Sequence, residues 1–264
     1  MTGQPKHGGL SGEIAVNAVC RIHREVTPAD GSWNMAVDEA MLEAAVESDY
    51  LAIRWYRWSE PTVSLGYFQD TTEADVPPHL AECPLVRRLT GGGAILHDRE
   101  WTYSCVLPAG HPLLAETPLD LYHTVHDAIA DVLNSHGVPV RSRGESLPFQ
   151  EGQPFLCYSR GDTRDLLLGE HKIVGSAQRR RRGAVLQHGS VLLRQSALTP
   201  EYPGLLDLHG APIDIDRMID EITQRISRKL SVEGRVCQLP EEIQAAADRL
   251  RSDRYDSRSW NRRR

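Results

Sequence analysis

The spacing of apolar positions changes period several times along the chain. Between Trp33 and Val46, the residues Val37, Ala40, Met41 and Ala44 recur at helical spacing. This predicts an amphipathic helix that starts after Thr27, Asp30 or Ser32, each able to cap the first free N–H groups. The runs Leu51–Trp58 and Thr62–Phe68 are rich in aromatic and branched residues and read as strands. The break at Ser59-Glu60-Pro61 predicts that they pair as a hairpin. Leu85–Leu89, Ala94–His97 and Thr102–Leu107 continue the strand pattern, with Gly91-Gly92-Gly93 punctuating the first two. In Asp120–His136 the helical period returns through Leu121, Val125, Ile129 and Val132, and Gly137 stands where a helix closes. Asp165–Leu168, Lys172–Ala177 and Ala184–Leu193 read as short strands, and Ile213–Leu230 and Pro240–Leu250 as helices. Short strands outnumber helices and lie close together in sequence. The expected fold class is therefore α/β of the α+β kind, with mixed, largely antiparallel sheets and flanking helices.

Composition sets bounds on this picture. A chain of 264 residues with 40% hydrophobic and 25% charged positions can bury a real core and suits one domain. Residues 1–26 are expected to form a leader and a first strand region, with a loose first dozen, and residues 27–264 a single domain with C-terminal helices. A net charge of −6 argues against a nucleic-acid partner. The five cysteines, at 20, 83, 105, 157 and 237, form no close pair. Neither a disulfide framework nor a zinc ribbon is indicated, and a reducing compartment fits. No apolar stretch approaches the roughly 18 residues of a membrane span, and the N-terminus lacks the pattern of a signal peptide. A cytoplasmic location with no membrane partner is expected.

Candidate chemistry clusters in three places. The glycines at 91, 92 and 93 admit positive φ and let a ligand lie against bare backbone. Arginines before them and His97-Asp98 after them suit an anion or acyl cradle, although a tight hairpin turn is the plainer reading. The pattern is neither a dinucleotide-binding GxGxxG nor a Walker-type loop. In His171–Gln178 a lone Lys172 stands among small and apolar residues. There it either polarises a carbonyl or guards a strand edge. The run Arg179–Arg182 reads as a solvated turn able to steer an acidic partner. Strand alternation puts Leu186, His188 and Ser190 on one face, and His188 either meets a ligand or is satisfied in the core. His123, His126 and His136 fall on or beside a predicted helix, and no metal site is assigned. Cys20 and Cys105 read as core residues, while Cys83 and Cys237 have no activating neighbour. Cys157 lies in the loop-like segment Pro154–Asp162 with basic residues close behind it, a setting in which a thiolate can act as a nucleophile.

Four segments taken in order, Asn34–Met41 (NMAVDEAM), Arg87–Asp98 (RRLTGGGAILHD), Lys172–Gln178 (KIVGSAQ) and Gln187–Leu193 (QHGSVLL), resemble the lipoate-protein ligase A and octanoyltransferase superfamily. The likeness runs from about Asn34 to the C-terminal Arg254-Tyr255 and Trp260-Asn261 and rests on several motifs rather than one. It implies the catalytic domain shared by biotin and lipoate protein ligases. By position it makes Arg88, Thr90 and the glycines Gly91, Gly92 and Gly93 the wall for the acyl chain and its carboxyl end, with His97 beside them. It gives Lys172 the acyl carbonyl oxygen, lines the chain's path with Gly175, Ser176 and Ala177, and sets His188 and Gly189 in the strand that closes the pocket. Arg164-Asp165 occupies the place where ATP-using ligases typically carry Asn-Asp, so Asp165 matches and the residue before it departs. Cys157 stands eight residues before Asp165, the spacing of cysteine-dependent octanoyltransferases, and Tyr158 is compatible with the aromatic that usually follows that cysteine. The chain ends soon after the catalytic domain, which leaves no room for the accessory domain of long ligases.

The resemblance implies that Cys157 takes an octanoyl group from octanoyl-acyl-carrier protein as a thioester. It then passes the group to a lysine of a lipoyl-domain protein, such as glycine cleavage H protein or a 2-oxoacid dehydrogenase E2, with Lys172 stabilising the oxyanion. That route needs no cofactor. An ATP-dependent lipoate-protein ligase, using ATP and Mg, is the alternative. An amidotransferase between lipoyl proteins and a non-catalytic acyl-binding protein also remain open, the last opposed by the joint presence of Lys172 and Cys157.

Overall fold

The computed structural model describes residues 19–70, 75–117, 119–145, 155–159 and 161–262, so the expected N-terminal leader and Arg160 behind the cysteine lie outside the described residues. Strand β1 (Val19–Arg24) leads into helix α1 (Gly31–Glu47), whose first turn is capped by Asp30 accepting from the Trp33 N–H at 2.9 Å. Then come β2 (Ala52–Tyr56), β3 (Thr62–Leu65), β4 (Leu85–Arg87), β5 (Ile95–His97) and β6 (Glu100–Leu107). Helix α2 (Asp120–Ser135) closes at Gly137, whose φ of 80° only glycine adopts freely. The chain continues through β7 (Val140–Ser142), β8 (Leu166–Leu168), β9 (His171–Arg181), β10 (Ala184–Leu192), α3 (Leu205–His209), α4 (Ile215–Lys229), β11 (Glu233–Val236), α5 (Glu241–Leu250) and α6 (Arg258–Asn261).

Eight strands form one mixed sheet in the order β11-β1-β2-β6-β10-β9-β8-β7, and three form a second in the order β4-β3-β5. In the large sheet β1 runs parallel to β11 and β2, and the other pairs are antiparallel. One face packs Ile53, Trp55, Tyr103 and Cys105 against α2 and α4. The opposite face packs Ala52, Tyr56, Val106 and Leu186 against α1 and α5. The small sheet shares a third cluster with Leu156. The mixed, antiparallel-rich architecture expected from the sequence is the one observed. Among the described residues no helix is long and apolar enough to cross a membrane.

Three local expectations are corrected. β2 and β3 do not form a hairpin, because both edges of β2 are taken by β1 and β6, and the chain leaves through Pro61 to begin the second sheet. The triple glycine is not a tight hairpin turn, since β4 and β5 lie on opposite sides of β3 and the loop must cross its end. The arginine run is mostly strand: β9 continues through Arg181, and the turn is Arg182-Gly183, with φ of 47° and 88°. Positive φ at both central residues matches the twist of a two-residue hairpin. Helix α1 also departs from simple amphipathicity, for Asn34, Asp38 and Glu39 are buried with its apolar residues. Arg54 explains part of this. It is fully buried on β2 and donates to the Asn34 side chain at 2.9 Å, Asp38 at 3.0 Å and Glu25 at 2.5 Å. A buried guanidinium is tolerated only when its donors are met in this way.

Candidate active site

The glycine loop is held from within by Arg88. Its Nε donates to Thr90 Oγ1 at 3.1 Å, Nη1 to the Ser64 carbonyl and hydroxyl at 2.9 and 3.2 Å, and Nη2 to the carbonyls of Gly91 and Gly93 at 2.7 and 2.8 Å. These donors are spent on acceptors of the loop and of Ser64 on β3, so the residue shapes the wall rather than presenting N–H groups to an anion. Gly92 has φ of 95°, and its carbonyl oxygen lies 1.9 Å from where a Cβ on Gly66 would stand. Both positions therefore require glycine.

From this one guanidinium run two chains of hydroxyl, imidazole and carboxylate. Thr90 accepts from Arg88 and so donates to His188 Nε2 at 2.7 Å, while His188 Nδ1–H donates to Asp38 at 2.9 Å. Ser64 likewise accepts from Arg88 and donates to His97 Nε2 at 2.7 Å, and His97 Nδ1–H donates to Glu100 at 2.6 Å. The partners thus assign the ring proton of both histidines to Nδ1. Burial pushes the His188 ring below its ordinary value, against the pull of Asp38. Burial alone would raise Asp38 and Glu100, but His188, Arg54 and Ser104 around the first, and His97, Ser190 and Thr102 around the second, outweigh it and hold both below the usual carboxylate range.

Cys157 begins a short 3₁₀ turn, Cys157–Ser159, and its N–H donates to the Ala94 carbonyl at 2.6 Å, docking the turn on the small sheet. Lys172 Nζ lies 3.9 Å from Cys157 Sγ and 3.0 Å from Asp165 Oδ1. Asp165 is fixed in turn by the Asp162 N–H at 2.8 Å. Burial holds the Asp165 carboxyl above its ordinary value although Lys172 pulls it down. The lysine folds back over Gly175, where a Cβ would meet Lys172 Cε at 2.5 Å and Nζ at 2.9 Å. Behind them His126 Nδ1–H donates to the Arg164 carbonyl at 2.6 Å, which leaves Nε2 to accept from the Ser176 hydroxyl. Tyr103 donates to the same hydroxyl oxygen at 2.9 Å. Burial pushes His126 down to about 4.

One cavity brings most of the expected residues together. Arg88, Gly91, Gly92 and His97 line one side; Gly175, Ser176, Ala177, His188 and Gly189 line the other, and Cys157 and Lys172 sit between them. Thr90, Gly93 and Asp165 are not on its surface and act on residues that are. Among the remaining cysteines, burial pushes Cys20 up to about 12 and Cys105 well above the ordinary thiol range.

The sequence reading missed Met35, Thr102 and Ser190 in the cavity wall, the buried acids Asp38 and Glu100 behind it, and the role of His126. A signal was present. Asn34 and Asp38 form a polar pair four apart inside an apolar helix. Glu100, Thr102 and Ser104 alternate on a buried central strand whose register sets Thr102 opposite Ser190 and Ser104 opposite His188. Polar alternation on a strand with no exposed face marks an internal site.

A thiol and an ammonium line one cavity on mixed sheets of this arrangement, and the chain belongs to the lipoyl protein ligase A/B catalytic domain family, whose profile matches residues 30–245. Curated relatives include octanoyltransferase LipM of Oceanobacillus iheyensis, 36% identical over 72% of this chain and 68% of its own. Octanoyltransferase LipM of Moorella thermoacetica is 33% identical over 89% of this chain and 95% of its own. Among solved structures, a lipoate-protein ligase A bound with ATP superposes with a TM-score of 0.73 at 24% identity, covering 93% of this chain and 98% of that one. A bi-partite lipoate protein ligase from Thermoplasma acidophilum gives 0.70 at 22%, covering 93% and 96%. The ligase structures speak for the fold. The octanoyltransferase relatives set the enzyme class as an acyltransferase of protein lipoylation.

Proposed function

We propose that this octanoyltransferase works through a thioester on Cys157. The Cys157 thiolate attacks the thioester carbonyl of octanoyl-acyl-carrier protein, the tetrahedral oxyanion collapses, and the carrier's thiol leaves with the proton that Cys157 gave up. In the second half the free ε-amine of a lipoyl-domain lysine attacks the Cys157 thioester. An amide forms, the C–S bond breaks, and the amine's proton returns to sulfur. The observation that carries this reading is the 3.9 Å approach of the Lys172 ammonium to Cys157 Sγ inside the acyl cavity. There a positive charge, held by Asp165, meets the oxyanion of both halves. Ser176, Ala177 and Gly189 line the chain's path opposite the Gly91–Gly92 wall.

The donor enters already activated, so the route consumes neither ATP nor Mg. A reactive thiol suits the reducing cytoplasm. Glycine cleavage H protein and E2 lipoyl domains are the proposed acceptors. The test is steady-state transfer from octanoyl-acyl-carrier protein to a lipoyl domain without nucleotide. Parallel double-reciprocal lines, abolished in Cys157→Ala, are expected. Transfer that needs ATP and free octanoate, unimpaired in Cys157→Ala, would establish the ligase alternative instead.

A further inference from the structure

We propose that Glu100 is a positioning residue, whose carboxylate gathers the cavity walls and, through the Tyr158 hydroxyl, fixes the turn on which Cys157 stands. The proposal rests on Cys157 being the acyl carrier. Glu100 opens β6 and is 3% exposed. Four donors converge on it. His97 Nδ1 and Thr102 Oγ1 each reach Oε1 at 2.6 Å, Ser190 Oγ reaches Oε2, and the Tyr158 hydroxyl lies 3.3 Å from Oε2. Thr102 itself accepts from Trp58 Nε1 at 2.8 Å, which directs its own proton to the carboxylate.

Two facts separate this from an ordinary buried acid satisfying its lone pairs. All four partners line the acyl cavity. They also come from four different pieces of chain: β5, β6, β10 and the cysteine turn. One carboxylate therefore ties the paired strands β6 and β10 to β5 of the small sheet and to the cysteine turn.

Among the described residues the turn is also tied by the bridge of Leu156 to Ala94 and by the Lys172 approach to Cys157. Besides the Cys157 N–H to Ala94, the Tyr158 hydroxyl is shared between Glu100 and the Leu96 carbonyl at 3.2 Å, and its ring lies 5.2 Å from that of Tyr202. Burial first, and then the Glu100 charge, push the Tyr158 hydroxyl well above its ordinary value, so it stays a donor. Losing this tie lets the turn swing while the cavity keeps its shape. Acyl binding then persists, and the approach of sulfur to carbonyl under Lys172 suffers.

The experiment compares Tyr158→Phe, Glu100→Gln and the double variant in single-turnover acylation of Cys157 by octanoyl-acyl-carrier protein, with KM for the donor measured in parallel. Tyr158→Phe keeps the ring and removes only the hydroxyl. Glu100→Gln keeps the size and replaces acceptor sites with donors. Tyr158→Phe is expected to acylate about tenfold more slowly with KM within about twofold, and Glu100→Gln, which also frees His97, Thr102 and Ser190 in the walls, at least as slowly. The double variant is expected to be no slower than the slower single, because both changes cut the same tie. Acylation within twofold of wild type in both singles overturns the proposal. So does a loss confined to KM, or losses that multiply in the double variant. If Glu100→Gln does not fold, Tyr158→Phe decides alone by the same rate and KM criteria. Failure of the wild-type chain to acylate at all removes the Cys157 thioester itself and this proposal with it. Normal wild-type acylation with unaffected variants removes only the role of Glu100.

Discussion

Lys172 owes its place to a missing side chain. Its ammonium turns back over Gly175 to meet Asp165 at 3.0 Å and Cys157 at 3.9 Å, a path that any Cβ at position 175 would cross. Gly175→Ala is therefore expected to displace the lysine while leaving the strand intact, since the end of a long side chain yields more easily than backbone. Removing one preorganised oxyanion donor commonly costs about 100-fold in rate. Acylation of Cys157 in Gly175→Ala should fall by roughly that factor, with little change in the thermal midpoint. Lys172→Ala should fall as far, and adding Gly175→Ala to it should cost nothing more. A Gly175→Ala enzyme that acylates like wild type would mean that the lysine acts from another position.

Among the elements, α2 was plain in the sequence because its apolar stripe has a single period and Gly137 ends it. α1 was legible as a helix, but not as one that carries buried acids, because a periodicity argument counts apolar positions and is blind to polar ones that find partners. Asp38 finds Arg54, Tyr56, Ser104 and His188, two of them on strands far away in sequence. Local pattern also failed at β2 and β3. Each was recognisable as a strand, yet their pairing is decided by competition for the edges of β2, which β1 and β6 win. The candidate site was legible where it is carried by short motifs, as in the glycine loop, the Lys172 strand and His188-Gly189. It was not legible at His126, whose partners lie on other elements, and at Glu100 only the polar alternation along β6 marked it. The β9–β10 hairpin shows the same limit in reverse, for four arginines in a row read as solvated turn although Arg179 is half-buried, its guanidinium over the Tyr67 ring at 4.6 Å.

The molecule places its site between the large sheet, the small sheet and α1, so the cavity and a stable core are one construction. This ties stability to pH. Burial pushes His23, His111, His126 and His188 below the ordinary histidine value, His126 to about 4. Between about 4 and 6.5 the unfolded chain binds a proton that the folded His126 refuses, and the other three act in the same direction below the ordinary histidine value, so stability rises with pH there and is lost as pH falls. Each such histidine contributes about 1.4 kcal/mol per pH unit within its own window. The thermal midpoint is expected to drop steadily from pH 7 to pH 4.5, and less steeply in His126→Gln, while equal slopes in the two proteins would remove His126 from this account. The chemistry itself is tested most directly by intact mass. After incubation with octanoyl-acyl-carrier protein and no nucleotide, the wild-type chain is expected to gain the mass of one octanoyl group. That gain should be released by hydroxylamine or by a lipoyl domain and be absent from Cys157→Ala. An unmodified wild-type chain under conditions where the lipoyl domain still becomes octanoylated, or an adduct that survives in Cys157→Ala, would contradict the thioester on Cys157.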